Sequence, residues 1–228
     1  MHWIKNIFGL FYPHFCYGCD EVLQQQEDVL CDSCLLNLDL IPFTLSENNE
    51  IKRRFYGKLL VKYCTSVLYY SENGSSKKLL HQLKYHRQRT ISAFLATLAL
   101  QHLNGHEVLG WADRLVPIPL HPSKERKRGY NQLDGFGKTL GEQLNIPYCK
   151  DYLIKKNRSR TQTHKNMVER VQSMEGFAIN PKYAHVQNQN ILLLDDVMTT
   201  GATLELAGNH ILKNSTNKIS ILTMAYTR

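Results

Sequence analysis

No apolar run in the 228 residues approaches the roughly 20 needed to cross a bilayer, so no membrane span is expected. The opening stretch MHWIKNIFGLFYP has one early lysine, no long apolar h-region and no Ala-x-Ala-like cleavage site. It does not read as a signal peptide. Trp3, Ile4, Ile7, Phe8 and Phe11 instead follow helical spacing, which suits an amphipathic helix packed on the body ahead of one lying on a membrane surface. Internal repeats and low-complexity tracts are lacking too. The expectation is a soluble, cytoplasmic protein. Hydrophobic residues make up 43% of the chain, which supports a core, and the length suits one α/β domain with a small appendage.

Acids are the scarcer charge, 20 against 28 Lys and Arg, for a net charge of +8. Residues 114–170 hold 13 Lys and Arg and 5 acids, so the whole excess falls in that quarter of the chain. Lys124, Arg126, Lys127 and Arg128 form one cluster, and Lys155, Lys156, Arg158 and Arg160 a second. A concentrated cationic field suits phosphate, pyrophosphate or nucleic acid; otherwise it is a solvated basic face.

The chain has six cysteines, and four of them form two pairs: Cys16-x-x-Cys19 and Cys31-x-x-Cys34. Each pair can set two thiolates on one turn, and two such knuckles complete a tetrahedral structural Zn²⁺ site. Two disulfides are the competing reading, but nothing in the sequence suggests export. His14 is read as a surface residue, and Cys64 and Cys149 as isolated thiols. Pro42, Ser46, Asn48 and Asn49 mark a linker. The expected organisation is a zinc-binding module over 1–45 and an α/β domain over 46–228.

The richest stretch is ILLLDDVMTTGATL at Ile191–Leu204. Its short apolar run fits a strand buried on both faces, as in a parallel sheet. Gly201 allows a tight turn, and Ala202–Lys213 reads as a helix. Acids at a strand end, followed by a hydroxyl-rich turn and a helix N-terminus, can grip a sugar phosphate. Asp195 and Asp196 would accept hydrogen bonds from ribose hydroxyls, and Thr199, Thr200 and Thr203 would help hold the phosphate.

Elsewhere, strands are expected at Val61–Tyr70, Arg114–Pro119, Asp151–Ile154 and Lys218–Tyr226. Helices are expected at Ser75–Tyr85, Thr90–His102 and Lys124–Leu144. Strand–helix alternation argues for a parallel sheet covered by helices. In such sheets ligands bind beyond the carboxyl ends of strands. The loop Leu120-His121-Pro122 and the basic run after it could therefore share a crevice with Asp195 and Asp196. Arg126 and Arg128 suit bidentate phosphate contacts, and Lys124 supplies a point charge. Arg158, Arg160, Thr161, Gln162, Thr163 and Arg170 fall in a polar segment that suits either a lid or a plain surface loop.

The stretch DDVMTTGAT closely resembles the phosphoribosyl pyrophosphate (PRPP) motif of type I phosphoribosyltransferases. The resemblance implies that Asp195 and Asp196 hold the ribose 2′- and 3′-hydroxyls. It also implies that Met198, Thr199, Thr200, Gly201, Ala202 and Thr203 wrap the 5′-phosphate. The four-cysteine head, LHQLKYHR at Leu80–Arg87, VPIPLHP with RKRGYNQ, the Thr161-Gln162-Thr163 loop with Arg170, and DDVMTTGAT together resemble the ComF family. Two departures from that pattern are Lys124, in place of an arginine, and Ser173-Met174, in place of an asparagine followed by an apolar residue.

The family implies a zinc module on a type I phosphoribosyltransferase fold, PRPP bound with Mg²⁺, and a role with incoming single-stranded DNA in natural transformation. A competence helicase or DNA-uptake protein is the implied partner. Tyr130, Phe136 or Tyr148 could offer stacking surfaces for bases, although such aromatics more often belong to the core. The alternative function is an active phosphoribosyltransferase, although no base-binding hood is recognisable.

Overall fold

The computed structural model describes residues 14–42, 49–72, 74–85, 88–102, 109–120, 122–155, 176–213 and 215–228. The expected N-terminal helix, His121 and the lid residues Arg158, Arg160, Thr161, Gln162, Thr163 and Arg170 lie outside the described residues. Among those described, no helix is long and apolar enough to cross a membrane.

The strands are β1 (Cys64–Tyr69), β2 (Arg114–Pro117), β3 (Leu153–Lys155), β4 (Phe177–Ile179), β5 (Asn190–Met198) and β6 (Lys218–Tyr226). The helices are α1 (Asp32–Leu36), α2 (Glu50–Arg53), α3 (Ser75–Tyr85), α4 (Arg89–His102), α5 (Pro122–Arg128), α6 (Leu133–Leu144) and α7 (Ala202–Leu212). Four strands make one sheet in the order β1-β6-β5-β2, parallel throughout. β3 and β4 form a separate antiparallel pair.

β5 is the spine of the sheet. Ile191, Leu192, Leu193 and Leu194 have no exposed surface. Side chains alternate along a strand, so Leu192 and Leu194 join the core under α3, α4 and α6, with Leu79, Leu83, Leu95 and Phe136. Ile191 and Leu193 join the core under α7, with Leu204, Ala207 and Ile211. This is the parallel sheet flanked by helices that the sequence implies.

Two expected elements change. The single helix expected over Lys124–Leu144 is two, α5 and α6, because the chain turns at Gly129, whose φ of 76° lies in the left-handed region. The Tyr130 hydroxyl in this turn donates to the Leu83 carbonyl at the end of α3. Also, β5 does not stop at Leu194 but runs on to Met198, with Val197 and Met198 paired to Ala225 and Tyr226. The acids therefore lie within the strand.

The four-cysteine head is tied to the sheet edge. Leu40 bridges Leu68, the Ile41 N–H donates to Val67 O at 3.0 Å, and the Tyr69 N–H donates to Asp39 O at 2.8 Å. Val29, Leu30 and Leu38 of the head belong to the same buried cluster as Leu68, Leu79 and Leu80.

Candidate functional site

Parallel pairing aligns the carboxyl ends of β2 and β5. The Ile118 N–H, just past β2, donates to Leu194 O at 2.8 Å, which sets Ile118, Pro119 and half-buried Leu120 beside the two acids. The alternation that buries Leu194 turns Asp196 toward α3 and α6. There its Oδ2 accepts from Gln132 Nε2 at 2.6 Å and pairs with Lys84 Nζ at 3.1 Å. Its Oδ1 accepts the Val197 N–H at 2.7 Å. Asp195 Oδ1 accepts the Asp196 N–H at 2.9 Å.

The two carboxyl groups are electrostatically unlike. Burial, and then the adjacent Asp196 charge, pushes the Asp195 carboxyl up to about 8. Burial acts in the same sense on Asp196, but the Lys84 ammonium and the Gln132 hydrogen bond outweigh it and hold that group below its ordinary value. The pair thus sets a group held in its carboxylate form beside one whose protonated form burial favours.

Lys84 and Gln132 went unassigned by the sequence reading, although both lie inside stretches it singled out, LHQLKYHR and RKRGYNQ. Of the expected basic residues, Arg128 reaches the site. Its Nη1 donates to Gln132 Oε1 at 2.7 Å, and its guanidinium lies 5.8 Å from the centre of the Tyr85 ring. Lys124 and Arg126 are exposed on α5. A polar chain therefore runs from Arg128 through Gln132 to Asp196 and Lys84.

Beyond β5 the chain turns through Thr199 and Thr200 to Gly201, whose φ is 81°. A Cβ there would lie 3.0 Å from the Phe55 ring, so both backbone conformation and space call for glycine. Gly201 also N-caps α7 without a side-chain hydrogen bond. The first amides of α7 thus point past exposed Ala202 and Thr203 with the helix dipole behind them, an arrangement suited to an anion. The Ala202 N–H lies 3.4 Å from Thr200 Oγ1. Met198 is buried under the turn.

The Sγ atoms of Cys16, Cys19, Cys31 and Cys34 all lie within 4.8 Å of one another, and no cysteine is disulfide-bonded. The Gly18 and Cys31 N–H groups each donate to Cys16 Sγ at 3.3 Å. Against the burial that would raise it, these amides and that of Cys19 bring the Cys16 thiol down to about 7. A Cβ at Gly18 would stand 2.7 Å from Cys34 Sγ, so glycine is what lets the thiols converge. The donor set and its spacing fit a four-thiolate metal centre, as the paired spacing predicts. Cys64 and Cys149 are buried singly.

The aromatics expected to stack on bases do not fit that role. Phe136 is fully buried, Tyr130 is 8% exposed, and the Tyr148 hydroxyl donates to Asp134 Oδ1 at 2.9 Å while its ring packs on Gly137. They hold α6 in place.

No family model matches the chain. It is 29% identical over 204 residues to competence protein ComFC of Bacillus subtilis, covering 87% of this chain and 78% of that protein. It is 23% identical over 232 residues to competence protein F of Haemophilus influenzae, covering 94% and 98%. It is 26% identical over 153 residues to DNA utilization protein YhgH of Escherichia coli K12, covering 65% of this chain and 66% of that one. Among solved structures, an adenine phosphoribosyltransferase aligns at 16% identity over 62% of this chain and 73% of its own, with a TM-score of 0.38. The Leishmania tarentolae adenine phosphoribosyltransferase aligns at 9% identity over 79% and 89%, with a TM-score of 0.37. Along most of its length the chain is similar in sequence to these competence proteins, and it has the four-cysteine head and the helix-flanked parallel sheet which the ComF resemblance implies.

Proposed function

We propose that this is a cytoplasmic PRPP-binding protein of DNA uptake, which handles incoming single-stranded DNA alongside a competence helicase or uptake protein. The observation that carries the ligand is the sequence of Asp195 and Asp196, the Gly201 turn and the α7 N-terminus at the carboxyl end of β5. On this reading Asp195 and Asp196 hold the ribose hydroxyls and Met198–Thr203 the 5′-phosphate. Leu120, His121 and Arg128 take the pyrophosphate, Lys124 and Arg126 add charge from the exposed side of α5, and the segment from Arg158 to Arg170 closes over it. Mg²⁺ accompanies PRPP and shares the carboxylates' field, while Zn²⁺ in the four thiolates of the 1–45 module is structural. The names of the Bacillus, Haemophilus and Escherichia relatives support the DNA role.

A thermal-shift titration with PRPP and Mg²⁺ tests the pocket, since a ligand of the native state alone raises stability by mass action. At 100 times the dissociation constant the gain is about 2.7 kcal/mol. The wild type should shift and Asp195→Ala/Asp196→Ala should not; equal shifts would remove the pocket from these residues. The gathering of Lys84 and Gln132 on Asp196, with Arg128 bonded to Gln132, also suits a second reading, turnover, because cations near a departing pyrophosphate stabilise its charge. In that step the bond from C1′ to pyrophosphate breaks, one from C1′ to an acceptor nitrogen forms, and the acceptor loses a proton. Pyrophosphate release from the same samples, with a panel of bases, decides between binding and turnover.

A further inference from the structure

The charge excess assigned to residues 114–170 conceals a second concentration. Residues 49–63 hold Lys52, Arg53, Arg54, Lys58 and Lys62 against one acid, Glu50. That acid is engaged: its Oε1 accepts from the Tyr69 hydroxyl at 2.8 Å and lies 3.9 Å from Arg228 Nε. The five cations are thus locally unopposed within their segment.

The segment doubles back on itself, since the Lys52 ammonium donates to the Lys62 carbonyl at 2.9 Å. At one end Arg54 Nε donates to the Tyr226 hydroxyl at 3.0 Å, at the carboxyl end of β6. At the other, the Lys62 N–H donates to Ile219 O at 2.8 Å, near the start of β6. The segment's inner residues Phe55, Leu59 and Val61 are buried with α7, and its outer residues are left to solvent.

Apolar and aromatic groups alternate with the cations on that outer side. Tyr56 is 54% exposed and Leu60 84%. They line a shallow cavity of ≈460 Å³ with Lys52 and Lys58. Beyond it, Lys62 Nζ sits 5.3 Å from the Tyr63 ring centre and 5.2 Å from that of Trp111, and these two rings meet edge to face at 5.9 Å.

We infer that the surface from Lys52 to Tyr63, with Trp111, is a docking track for single-stranded nucleic acid. Cations spaced along a groove follow the phosphates, and aromatic faces between them take bases without regard to sequence. The inference rests on the DNA-handling reading and gives it a surface that Tyr130, Phe136 and Tyr148 do not provide. Since the Phe55 ring lies against Gly201, the track adjoins the proposed phosphate turn.

The experiment is fluorescence anisotropy of a labelled oligo-dT on the full chain, across a salt series. For the wild type, log affinity should fall with log salt at a slope on the order of −3, about 0.7 for each of the five cations. Lys58→Glu/Lys62→Glu should flatten that slope by about 1.4 or more and weaken binding at least about tenfold. Tyr56→Ala should weaken it about fivefold or more with the slope unchanged. Melting temperatures measured on the same samples separate a loss of binding from a loss of fold. If the folded variants bind as the wild type does, the track is wrong and the DNA reading stands. Absence of any wild-type binding sinks the DNA reading itself. Poly-glutamate of equal charge competing as well as the oligonucleotide would overturn the nucleic-acid assignment in favour of an acidic protein partner.

Discussion

Asp195 and Asp196 are neighbours in sequence with opposite electrostatic fates, and the cause is the two-residue period of a strand. Asp196 faces α3 and α6, where Lys84 and Gln132 meet it; Asp195 has a buried setting and a like charge. With the Asp195 carboxyl raised to about 8, the folded protein holds a proton that the unfolded chain releases near pH 4. The native state binds more protons across that window, so stability falls as pH rises from about 4 to 8, and the loss is complete above about 8. Asp195→Asn should therefore stabilise the ligand-free protein at pH 8 by about 2 kcal/mol, less than the full displacement because Asp195 retains some solvent contact. At pH 4 it should have little effect. Urea unfolding at the two pH values checks this, and a gain independent of pH would refute it. The amide keeps an oxygen for the Asp196 N–H, so geometry is spared while the ionisable site is lost. A ligand site that costs stability when empty accords with the usual trade between function and stability.

Elements with a clear period were legible in the sequence, and those set by distant partners were not. Helix α3 and strand β6 occupy the residues their apolar spacing indicates, Ser75–Tyr85 and Lys218–Tyr226. Helices α2 and strand β4 are too short to show a period. The break between α5 and α6 hangs on Gly129 and on a tyrosine bond to another helix. Lys84 lies near the end of α3, and only packing of α3 against the sheet brings it to Asp196. The β5–α7 turn was readable because its backbone requirement is local. Gly201 meets that left-handed requirement and a tertiary one, space beside Phe55, while Gly57, with φ of 72° and nothing within 4 Å of a Cβ, meets only the first. Gly57→Ala should thus cost about 1 kcal/mol from backbone strain alone. Gly201→Ala should cost more, by roughly 1 kcal/mol, because the Phe55 ring must also shift. It should also abolish the PRPP thermal shift. Equal denaturation midpoints for the two variants would mean that the Phe55 contact imposes nothing.

At the scale of the whole molecule, the head and the sheet share one buried cluster, although the sequence reads as a zinc module followed by a separate domain. Val29, Leu30 and Leu38 pack with Leu68, Leu79 and Leu80, and backbone bonds from Asp39 and Ile41 extend the sheet edge at β1. Cys16, Cys31 and Cys34 are themselves members of that cluster. If the four thiolates are gathered by Zn²⁺, the metal's binding free energy, on the order of 10 kcal/mol in isolated zinc modules, is felt by α3 and β1 as well as by the head. Metal analysis should therefore find one zinc per chain. Chelation, or Cys31→Ser with Cys34→Ser, should lower the melting temperature of the entire protein by about 10 °C or more in a single transition. The contrary outcome is distinctive: a small early transition for the head, followed by an unshifted main one, would show that the buried cluster does not couple them. Because α3 also carries Lys84, cooperative loss should extend to the site. Partial chelation should weaken the PRPP shift in proportion to zinc removed, although the cysteines and Asp196 lie at opposite ends of α3's packing.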